Sequence, residues 1–430
     1  MRRLLLLSGL IYALFLYGLA TLSGQLLALV VPLAIYLGAA LLYGPDELQL
    51  RVTRTLSADR VSQGEPVVVR VSITNEGSRL EEVLVEDLVP RPLVLTDGEP
   101  RVLTSLPPGG TLDLEYTVTG RRGRFDFRDV QMTASGHLGL FRRQTTLPAP
   151  ARLLVLPEVL RLRRIAIRPL RTHGYIGPVP ARQGGSGVEF FETREYQSGD
   201  PLRWINWRLS ARHPRTLFTN EFEQERIADV GLILDARQRS DIRLKGDSLF
   251  EYGIRAAAAL AGAFLNDGNR VGLLVYGRNL DWTFPGYGKV QRERILQALT
   301  RAKTGESLVF DNLDYLPTRF FPARSQIVVI SPLCREDLSM LSRLRAHGYQ
   351  LLLISPDPIT FEAKALGSRP IVDLAVRIAR LERTLLLRNL RQAGIQIVDW
   401  QVDQPFDQTV HTSLHRLPYW YRVIGVEPRA

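Results

Sequence analysis

The strongest structural signal in the chain is the apolar run Val230-Gly231-Leu232-Ile233-Leu234-Asp235, which ends in an acid. A short continuous apolar run of this kind is typical of a strand buried on both faces of a sheet. Helical patterns separate it from four further runs, which are Arg270–Tyr276, Gln326–Ser331, Gln350–Ser355 and Ile395–Trp400. Strands that alternate with helices predict a mostly parallel, doubly wound α/β domain over residues 229–403. Ligands of such sheets bind at the carboxyl ends of the strands.

The composition of the 430 residues excludes several classes of protein. The chain carries 55 basic and 44 acidic residues, a formal net charge of +11, and 45% apolar residues, which is enough for ordinary cores. One cysteine excludes a disulfide scaffold and any multi-cysteine metal or iron–sulfur site. The arginine excess runs along the whole chain, so it indicates a genomic base-composition bias better than a nucleic-acid surface. We therefore expect no nucleic-acid partner.

Residues 1–44 have the pattern of a transmembrane hairpin. No residue from Leu4 to Leu22 is charged, and a helix of that length would measure about 28 Å, close to a hydrocarbon core of ~30 Å. A second uncharged stretch, Leu26–Tyr43, follows a small polar turn and contains Pro32. A cleaved signal peptide is the alternative, but the first run is longer than the usual apolar region of such a peptide.

Arginines flank the predicted hairpin at both ends and are absent from its turn; they are Arg2, Arg3, Arg51 and Arg54. The positive-inside rule then places both ends in the cytoplasm. We therefore expect a multi-pass protein of the inner (plasma) membrane whose domains after residue 44 are cytoplasmic. The lone Cys334 is compatible with a reducing compartment.

Residues 48–156 change to a period of two. Val67–Ile73 and Leu112–Val118 largely alternate apolar with polar residues, and turn residues such as Asp97-Gly98 separate the runs. Short strands with regular turns predict an antiparallel β-sandwich, immunoglobulin-like in broad shape. This stretch contains no plausible catalytic cluster, so we interpret it as a spacer or docking module.

An arginine-rich stretch follows at residues 151–185. It contains one glutamate, Glu158, and seven arginines, which are Arg152, Arg161, Arg163, Arg164, Arg168, Arg171 and Arg182. A local charge of 7 − 1 = +6 fits an anionic partner, either acidic lipid headgroups or an acidic protein face. A solvated linker in an arginine-rich chain explains it equally well, and both interpretations stay open.

Two glycine-rich stretches, Gly184-Gly185-Ser186-Gly187 and Gly286-Tyr287-Gly288-Lys289, are poor phosphate-binding loops. No Gly-Lys-Ser/Thr follows the first, and in the second Thr283 and Val290 stand where a P-loop needs glycine and Ser/Thr. We therefore expect that the chain does not hydrolyse nucleotides itself, and we predict no cofactor.

Residues 157–228 also contain a dense run of acids, arginines and aromatic residues between positions 189 and 212. Such a mixture suits a partly buried ion-pair network, because the planar guanidinium group pairs with carboxylates bidentately and stacks on rings. The functional alternative is an acid/base site that uses Glu189, Glu195 or Asp200. Nothing in the sequence positions a nucleophile beside these acids, so we favour the structural interpretation.

This run resembles the signature of a large bacterial family, the domain of unknown function 58 family. That family has Gly-x-Glu-Phe, Arg-Glu-Tyr, Gly-Asp, Arg-x-Ile-Asp-Trp and Ser-Ala-Arg in this order, and Asn206 replaces the aspartate here. The segments Gly123–Phe125 and Gly139–Phe141 fit the family as well. The signature residues of this chain are Glu189, Phe190, Arg194, Glu195, Tyr196, Gly199, Asp200, Arg203, Trp207, Ser210 and Arg212.

The resemblance implies that the sheet of residues 229–403 is similar to a von Willebrand factor type A domain. That fold often carries a metal site built from Asp-x-Ser-x-Ser, a threonine and a later aspartate, which suits Mg²⁺ or Mn²⁺. Here Arg237 and Arg239 stand at the serine positions and Pro332 at the later acid position, so only Asp235 survives. Two guanidinium groups repel a cation, and no second carboxylate is evident, so we predict that the metal site is lost. We expect Arg237 or Arg239 to pair with Asp235 or to face an acidic partner.

The tail, residues 404–430, holds one further candidate site. His411 and His415 have the i, i+4 spacing of zinc ligands on one helix face, with two aspartates nearby. A bare pair of this kind is common by chance, so we predict no metal here. We interpret Pro418-Tyr419-Trp420-Tyr421 as a docking patch of the tail.

The resemblance also suggests a partner, because members of the family are typically encoded beside a MoxR-type AAA+ ATPase. We therefore predict a membrane-anchored protein-interaction module, not an enzyme, that works with such an ATPase in a chaperone or assembly system. The alternative is a cell-envelope enzyme that uses the Glu189–Asp200 carboxylates, which requires those acids to converge in an open cleft with raised pKa values. Anionic-lipid sensing by the arginines of residues 151–185 is a third hypothesis.

Overall fold

The computed structural model describes the chain except for residues 1, 43–47, 136–141, 164, 166–171, 174–178, 214, 245, 308–315, 318–319, 367–369 and 415–430. The chain divides into two compact units, Met1–Leu156 and Pro157–Ala430. Each unit has its own cluster of buried apolar side chains.

The first unit begins with two helices, α1 (Arg2–Ala20) and α2 (Gly24–Leu42). None of the helices in the described residues is both long enough and apolar enough to cross a membrane. The predicted transmembrane hairpin is therefore wrong. A membrane-spanning helix needs about 20 consecutive apolar residues. Two of the 19 residues of helix α1 are arginines. Helix α2 begins with a glycine and a glutamine and contains Pro32.

The rest of the first unit consists of β-strands. They are β1 (Leu50–Leu56), β2 (Arg60–Ser62), β3 (Val67–Asn75), β4 (Leu80–Asp87), β5 (Val94–Gly98), β6 (Arg101–Leu106), β7 (Thr111–Thr119), β8 (Gly123–Ser135) and β9 (Arg142–Leu156). They form two sheets with the orders β1-β3-β7-β5 and β2-β9-β8-β4-β6. The described pairs are antiparallel apart from β2 and β9, which run parallel.

Alternation along these strands produces the core between the two sheets. In β3 the side chains of Val67, Val69, Val71 and Ile73 are buried, and the residues between them are more exposed. Branched side chains of this kind pack well on a pleated surface. Full burial of one such side chain contributes roughly 1.5–3 kcal/mol, so hydrophobic burial is the main source of stability here.

One ion pair is enclosed in this core. The Arg54 guanidinium donates to the Asp87 carboxylate, with an Nε–Oδ2 distance of 3.1 Å, and neither side chain is exposed. Tyr116 donates its hydroxyl proton to the same carboxylate at 2.6 Å, and the Phe127 ring lies 5.1 Å from the guanidinium. Burial, together with the nearby Asp87 charge, raises the pKa of Tyr116 well above its usual value. The strands are thus joined by a charged contact as well as by apolar packing.

The second unit is built around a sheet of eight strands. The eight strands are β10 (Thr172–His173), β11 (Val179–Glu195), β12 (Phe218–Ala236), β15 (Arg270–Gly277), β16 (Leu280–Gly286), β17 (Gln326–Ile330), β18 (Gln350–Pro356) and β19 (Gln396–Trp400). A separate short pair consists of β13 (Arg243–Leu244) and β14 (Asp247–Ser248). The order of the main path is β16-β15-β12-β17-β18-β19. Strands β15, β12, β17, β18 and β19 are mutually parallel, and β16 is antiparallel to β15.

Helices lie between the strands of this unit. They are α3 (Trp207–Ser210), α4 (Leu249–Asn266), α5 (Gly288–Arg301), α6 (Asp337–Ala346), α7 (Pro358–Leu366), α8 (Pro370–Gln392) and α9 (Phe406–Leu414). Side chains from the sheet and from α8, such as Ile233, Leu353 and Leu387, share one core cluster. A Cβ atom at Gly231 would lie 2.3 Å from the ring of Phe321, so only glycine allows this close approach to β12.

The predicted fold class is also wrong for the second unit. We predicted a doubly wound, type A-like domain, and the described residues show no clear fold of that kind. Strand β12 is 19 residues long and belongs to two different arrangements. Its first part pairs antiparallel with β10 and β11, and its last part pairs parallel with β15 and β17. The apolar run at residues 230–235 gives no sign of this extension. The described chain is therefore mostly sheet, with mixed α/β character.

The enclosed ion pair of the first unit gives a stability prediction. Replacing Arg54 with methionine leaves the Asp87 carboxylate buried without its cation, so we expect the free energy of unfolding to fall by about 3–5 kcal/mol. Urea denaturation measures this loss. The matched control is Arg70→Met, which removes an ion pair with Glu115 in which both side chains are more than half exposed. The control should leave the midpoint nearly unchanged, and equal losses in both variants would contradict the prediction.

Candidate functional site

The candidate site lies at the carboxyl edge of the parallel strands in the second unit. Strands β12, β17, β18 and β19 run in the same direction, so the residues at their ends meet at one edge. Asp235 stands near the end of β12, Ser331 directly follows β17, and Ser355 and Asp399 lie near the ends of β18 and β19. Sheets of this kind bind their ligands at this edge.

A buried arginine occupies the centre of this edge. Arg237 donates from Nε to Asp235 Oδ1 at 2.8 Å and from Nη2 to Asp235 Oδ2 at 2.6 Å. The same guanidinium donates from Nη1 and Nη2 to the two carboxylate oxygens of Asp337, at 2.8 and 2.9 Å. All three side chains are 1% exposed. One cation is therefore held between two carboxylates, each by two hydrogen bonds.

Further donors complete the hydrogen bonding of the two carboxylates. The Ser331 hydroxyl donates to Asp235 Oδ2 at 2.6 Å, and the backbone N–H of Arg237 donates to Oδ1 at 3.1 Å. The backbone N–H of Cys334 donates to Asp337 Oδ2 at 3.0 Å. Buried polar groups are costly unless they are bonded, so this arrangement is stable where an isolated carboxylate would not be.

The charges of this cluster reinforce one another. Burial alone would raise the pKa of Asp235, but the hydrogen bonds and charge of Arg237 and the Ser331 hydroxyl outweigh it, and the pKa lies below its usual value. Burial would lower the pKa of Arg237, but the hydrogen bonds of Asp235 and Asp337 outweigh it and raise that pKa far above its usual range. Asp235 is therefore ionised and Arg237 is charged at neutral pH.

A second arginine holds the other side of the same edge. Arg383 of α8 donates from Nη2 to Asp399 Oδ1 at 2.7 Å and to the Ser355 hydroxyl oxygen at 3.1 Å. Its Nε lies 3.4 Å from Asp357 Oδ1, and its Nη1 donates to the Pro332 carbonyl oxygen at 3.1 Å. Its side chain is only 9% exposed. Residues 331 and 332 thus connect the two arginine clusters, because Ser331 bonds to Asp235 and Pro332 bonds to Arg383.

The structure corrects one part of the sequence reasoning about this edge. We predicted pairing of Asp235 with Arg237 or Arg239, and the structure selects Arg237. We expected no second carboxylate, and that was wrong, because Asp337 approaches from the first turn of α6. Arg239 lies at the rim, 26% exposed and 3.5 Å from Glu336 Oε2. Pro332 contributes a carbonyl oxygen and no charge.

The chemistry of this edge is unfavourable for a divalent cation. The Asp235 and Asp337 oxygens, which are the hard ligands that Mg²⁺ would need, already accept hydrogen bonds from a guanidinium group. The crevice beside them, lined by Asp235, Ser240 and Ser331, has a volume of ≈ 10 Å³. That is roughly the space of one water molecule, whereas ligand pockets measure about 300–1,000 Å³. The loss of the metal site stays a prediction.

Some of the signature residues form a third cluster, around Arg194. Arg194 donates from Nη1 and Nη2 to the two oxygens of Asp200, both at 2.8 Å, and its Nε lies 3.6 Å from Glu221 Oε2. The hydrogen bonds of Arg194 and of the Gln197 N–H hold the pKa of Asp200 below its usual value. Gly199 has a φ of +110°, which this turn between residues 194 and 200 requires.

Other signature residues serve local structure or face solvent. The Ser210 hydroxyl accepts from the Phe218 N–H at 2.9 Å, and the Tyr196 N–H donates to the Leu217 carbonyl at 2.8 Å. Arg203 lies over the Trp204 ring at 5.6 Å, whereas Trp207 is 66% exposed. The Glu195 carbonyl oxygen accepts a hydrogen bond from Arg194 Nη1 at 3.0 Å. The contacts of the described residues do not bring Phe190 or Arg212 to an arginine cluster, and Phe190 is exposed. The Glu189 side chain lies outside the described residues.

The remaining candidates fall partly outside the described residues. Arg163 pairs with Asp407 at 2.9 Å, and Arg152 pairs with Asp126 at 3.0 Å, both with largely exposed arginines. The side chains of Arg164, Arg168, Arg171 and Arg182 lie outside the described part, as do His415, Gly139–Phe141 and Pro418–Tyr421. His411 Nε2 lies 3.4 Å from an Asp407 oxygen. The lipid and protein interpretations of residues 151–185 both stay open.

Metal titration tests the carboxyl edge directly. We expect Mg²⁺ and Mn²⁺ to leave the thermal unfolding midpoint of the chain unchanged, because Arg237 already donates hydrogen bonds to all four oxygens of the two carboxylates. The measurement is a thermal-shift or calorimetric titration, with Asp235→Ala as the comparison. Clear stabilisation by either ion that disappears in Asp235→Ala would overturn the prediction.

The stability contributed by Arg237 should depend on pH. Arg237→Met leaves Asp235 and Asp337 buried without their cation, so we expect unfolding at pH 7 to become easier by about 3–5 kcal/mol. In the native chain the Asp235 contribution is complete above the unfolded pKa of about 3.9 and is lost as the pH falls through the lower folded pKa. In the variant the buried Asp235 carboxyl loses its cation and prefers its protonated form, so the stability cost of the substitution should shrink between pH 7 and pH 4.5.

Urea denaturation at the two pH values measures that cost. Arg239→Met is the control, since Arg239 is partly exposed and its closest acidic oxygens lie 3.5 and 3.6 Å away. Arg239→Met should lower the free energy of unfolding less than Arg237→Met does at pH 7, and this loss should vary less with pH. If Arg237→Met lowers the free energy of unfolding by the same amount at both pH values, the interpretation of Asp235 as a buried, ionised partner of Arg237 is contradicted.

The chain was compared with curated proteins and with solved structures. No curated protein matches the chain. Among solved structures, the cupredoxin domain of amoB from Nitrosocaldus yellowstonii is 8% identical, with a TM-score of 0.19 over 26% of this chain and 88% of that chain. A FixG-related protein from Vibrio parahaemolyticus is 12% identical, with a TM-score of 0.17 over 26% and 98%. Likenesses this weak support no inference about the fold or function.

A match to a protein family is more informative than these structural likenesses. Residues 192–362 match the family described as "Protein of unknown function DUF58". The matched segment contains most of the signature residues, from Arg194 to Arg212, and also Asp235, Arg237 and Asp337. This match supports the resemblance to the DUF58 family over residues 192–362.

Proposed function

We propose that this chain is a non-catalytic protein-interaction module whose partner is a MoxR-type AAA+ ATPase in a chaperone or assembly system. The observation that supports it most is the filled carboxyl edge. A parallel sheet normally recognises small ligands at this edge. Here Arg237 and Arg383 occupy it, and the crevice that remains beside Asp235 is about the size of one water molecule. Recognition of another macromolecule by an outer surface is then the better-supported role.

The protonation states of the acids also favour a non-catalytic role. A general acid or base works best when its pKa lies near the operating pH, which for a carboxyl group means a raised pKa. The pKa values of Asp235 and Asp200 are both lowered, and an arginine holds each carboxylate bidentately. Asp200, one of the acids on which the enzyme hypothesis depends, is therefore occupied by Arg194 in a structural ion pair.

Exposed apolar side chains in residues 157–228, here called the signature segment, offer a surface for the partner. Leu202 is 69% exposed and Trp207 is 66% exposed, and Leu217 is also exposed. Tryptophan and arginine are the residue types most enriched in the energetic centres of protein interfaces. Arg203, next to Leu202, completes this mixture. These exposed side chains and Arg203 lie close together in the sequence, so we propose that the partner contacts the chain here.

An affinity experiment tests the proposal. The tagged full chain is used to capture proteins from a lysate of its own cells, with and without ATP, and the captured proteins are identified by mass spectrometry. We expect enrichment of an AAA+ ATPase that depends on nucleotide, and we expect Trp207→Asp to reduce its capture at least tenfold. Phe284→Asp is the matched control, because Phe284 is 72% exposed and lies outside the signature segment.

Two results would contradict this proposal. Absence of an ATPase under both nucleotide conditions would remove the proposed partner. Turnover by the purified chain alone that is lost in Asp200→Asn would instead favour the enzyme hypothesis.

A further inference from the structure

An uncovered apolar stripe runs along helix α8. Five large side chains of this helix are between 51% and 76% exposed, namely Ile371, Leu374, Ile378, Leu381 and Leu385. Contiguous apolar surface on this scale is unusual for a face that remains in water. The five residues of the stripe belong to none of the three arginine clusters and lie outside residues 192–362, so the proposed function does not account for them.

The stripe is not the face that docks on the domain. The buried side chains of α8 are Arg383, Leu387 and Leu390, and the two leucines belong to the core of the second unit. At about 100° per residue, these three positions lie on the opposite side of the helix from the stripe. Helix α8 therefore has two apolar faces, of which its own unit covers one.

The spacing of the stripe is that of a coiled-coil seam. Its residues follow one another at intervals of three, four, three and four, so they occupy successive a and d positions of a heptad. Ile371, Ile378 and Leu385 take the a positions, and Leu374 and Leu381 take the d positions. Isoleucine at a with leucine at d favours two parallel strands. We propose that α8 pairs in parallel with α8 of a second copy of this chain.

Charges beside the seam fit this occupant. Arg377 is at a g position and Glu382 is at the e position of the following heptad. In a parallel pair the g side chain of one helix faces the next e side chain of its partner, so each Arg377 meets a Glu382 of the other copy. Glu382 also pairs with Arg335 at 2.9 Å, but both of those side chains are more than half exposed and the carboxylate has room for a second donor.

The limits and width of the stripe argue against a lipid surface. The next d position is Arg388 and the next a position is Gln392, so the seam ends at Leu385 after about 21 Å of helix. A helix that lies on a membrane has a broad apolar face and a polar face rich in basic residues. This stripe contains only a and d positions, and Asp373 and Glu382 are interspersed with the arginines beside it.

The helix is already formed before it pairs. An isolated helix of this length is only marginally stable in water, and a free peptide would lose most of its binding energy in folding. Burial of Leu387 and Leu390, with the bonds of Arg383 to Asp399 and Ser355, fixes the carboxyl half of α8. A seam of two heptads can therefore form a dimer although it is short.

Sedimentation velocity of the purified full chain tests this inference. We expect a concentration-dependent dimer for the native chain. Leu381→Glu places a charge in the centre of the seam but changes an exposed position, so it should weaken association at least tenfold without unfolding the domain. Arg380→Glu is the matched control on the same helix; it lies off the seam and should leave the dimer intact.

A charge exchange tests the parallel arrangement. Arg377→Glu and Glu382→Arg each place like charges across the pair and should weaken the dimer, whereas the double exchange restores attraction and should recover association. An antiparallel pair would not respond in this way.

Several outcomes would overturn the inference. The native chain could stay monomeric at high concentration. Leu381→Glu could associate as strongly as the native chain, or the double exchange could fail to recover association. A monomeric chain that floats with phosphatidylcholine–phosphatidylglycerol vesicles, and stops doing so in Leu381→Glu, would identify the stripe as a lipid-binding surface instead.

Discussion

The enclosure of Arg237 between Asp235 and Asp337 is the interaction on which the second unit most depends. Strand β12 supplies Asp235, its following loop supplies Arg237, and the first turn of α6 supplies Asp337, so one guanidinium joins three parts of the chain. A buried charge that loses one partner is strongly destabilising. Arg237 therefore fixes the geometry of this edge, and among the described residues the crevice beside Asp235 is about the size of one water molecule.

The same chemistry recurs at Arg383, and this second cluster connects the edge to the outer surface. Arg383 holds α8 against the ends of β18 and β19, and this anchoring leaves the opposite side of α8 facing outward. The exposed Trp207 of the signature segment offers another outward-facing apolar group. Arginine–carboxylate pairs thus stabilise the interior of the unit, and exposed apolar side chains lie on its surface.

Local pairings could be predicted from the sequence, and distant ones could not. Asp235 and Arg237 are two residues apart, and Arg194 and Asp200 are six apart, so their pairing follows from proximity. Asp337 lies 100 residues beyond Arg237, and nothing in its own neighbourhood points to the edge. Arg383 sits on an amphipathic helix and has the pattern of a surface charge, although it is buried. The predicted membrane hairpin failed because uncharged length was taken as sufficient, whereas no described helix combines the required length and apolarity.

A double-mutant cycle between Arg237 and Asp337 tests the central claim most directly. The free energies of unfolding of the native chain, Arg237→Met, Asp337→Leu and the double variant are measured by urea denaturation at pH 7. If the guanidinium and the carboxylate form one buried unit, the double variant should lose less stability than the two single variants together, with a coupling of about 2–3 kcal/mol. Additive losses would contradict the account, because they would mean that the two side chains do not depend on each other.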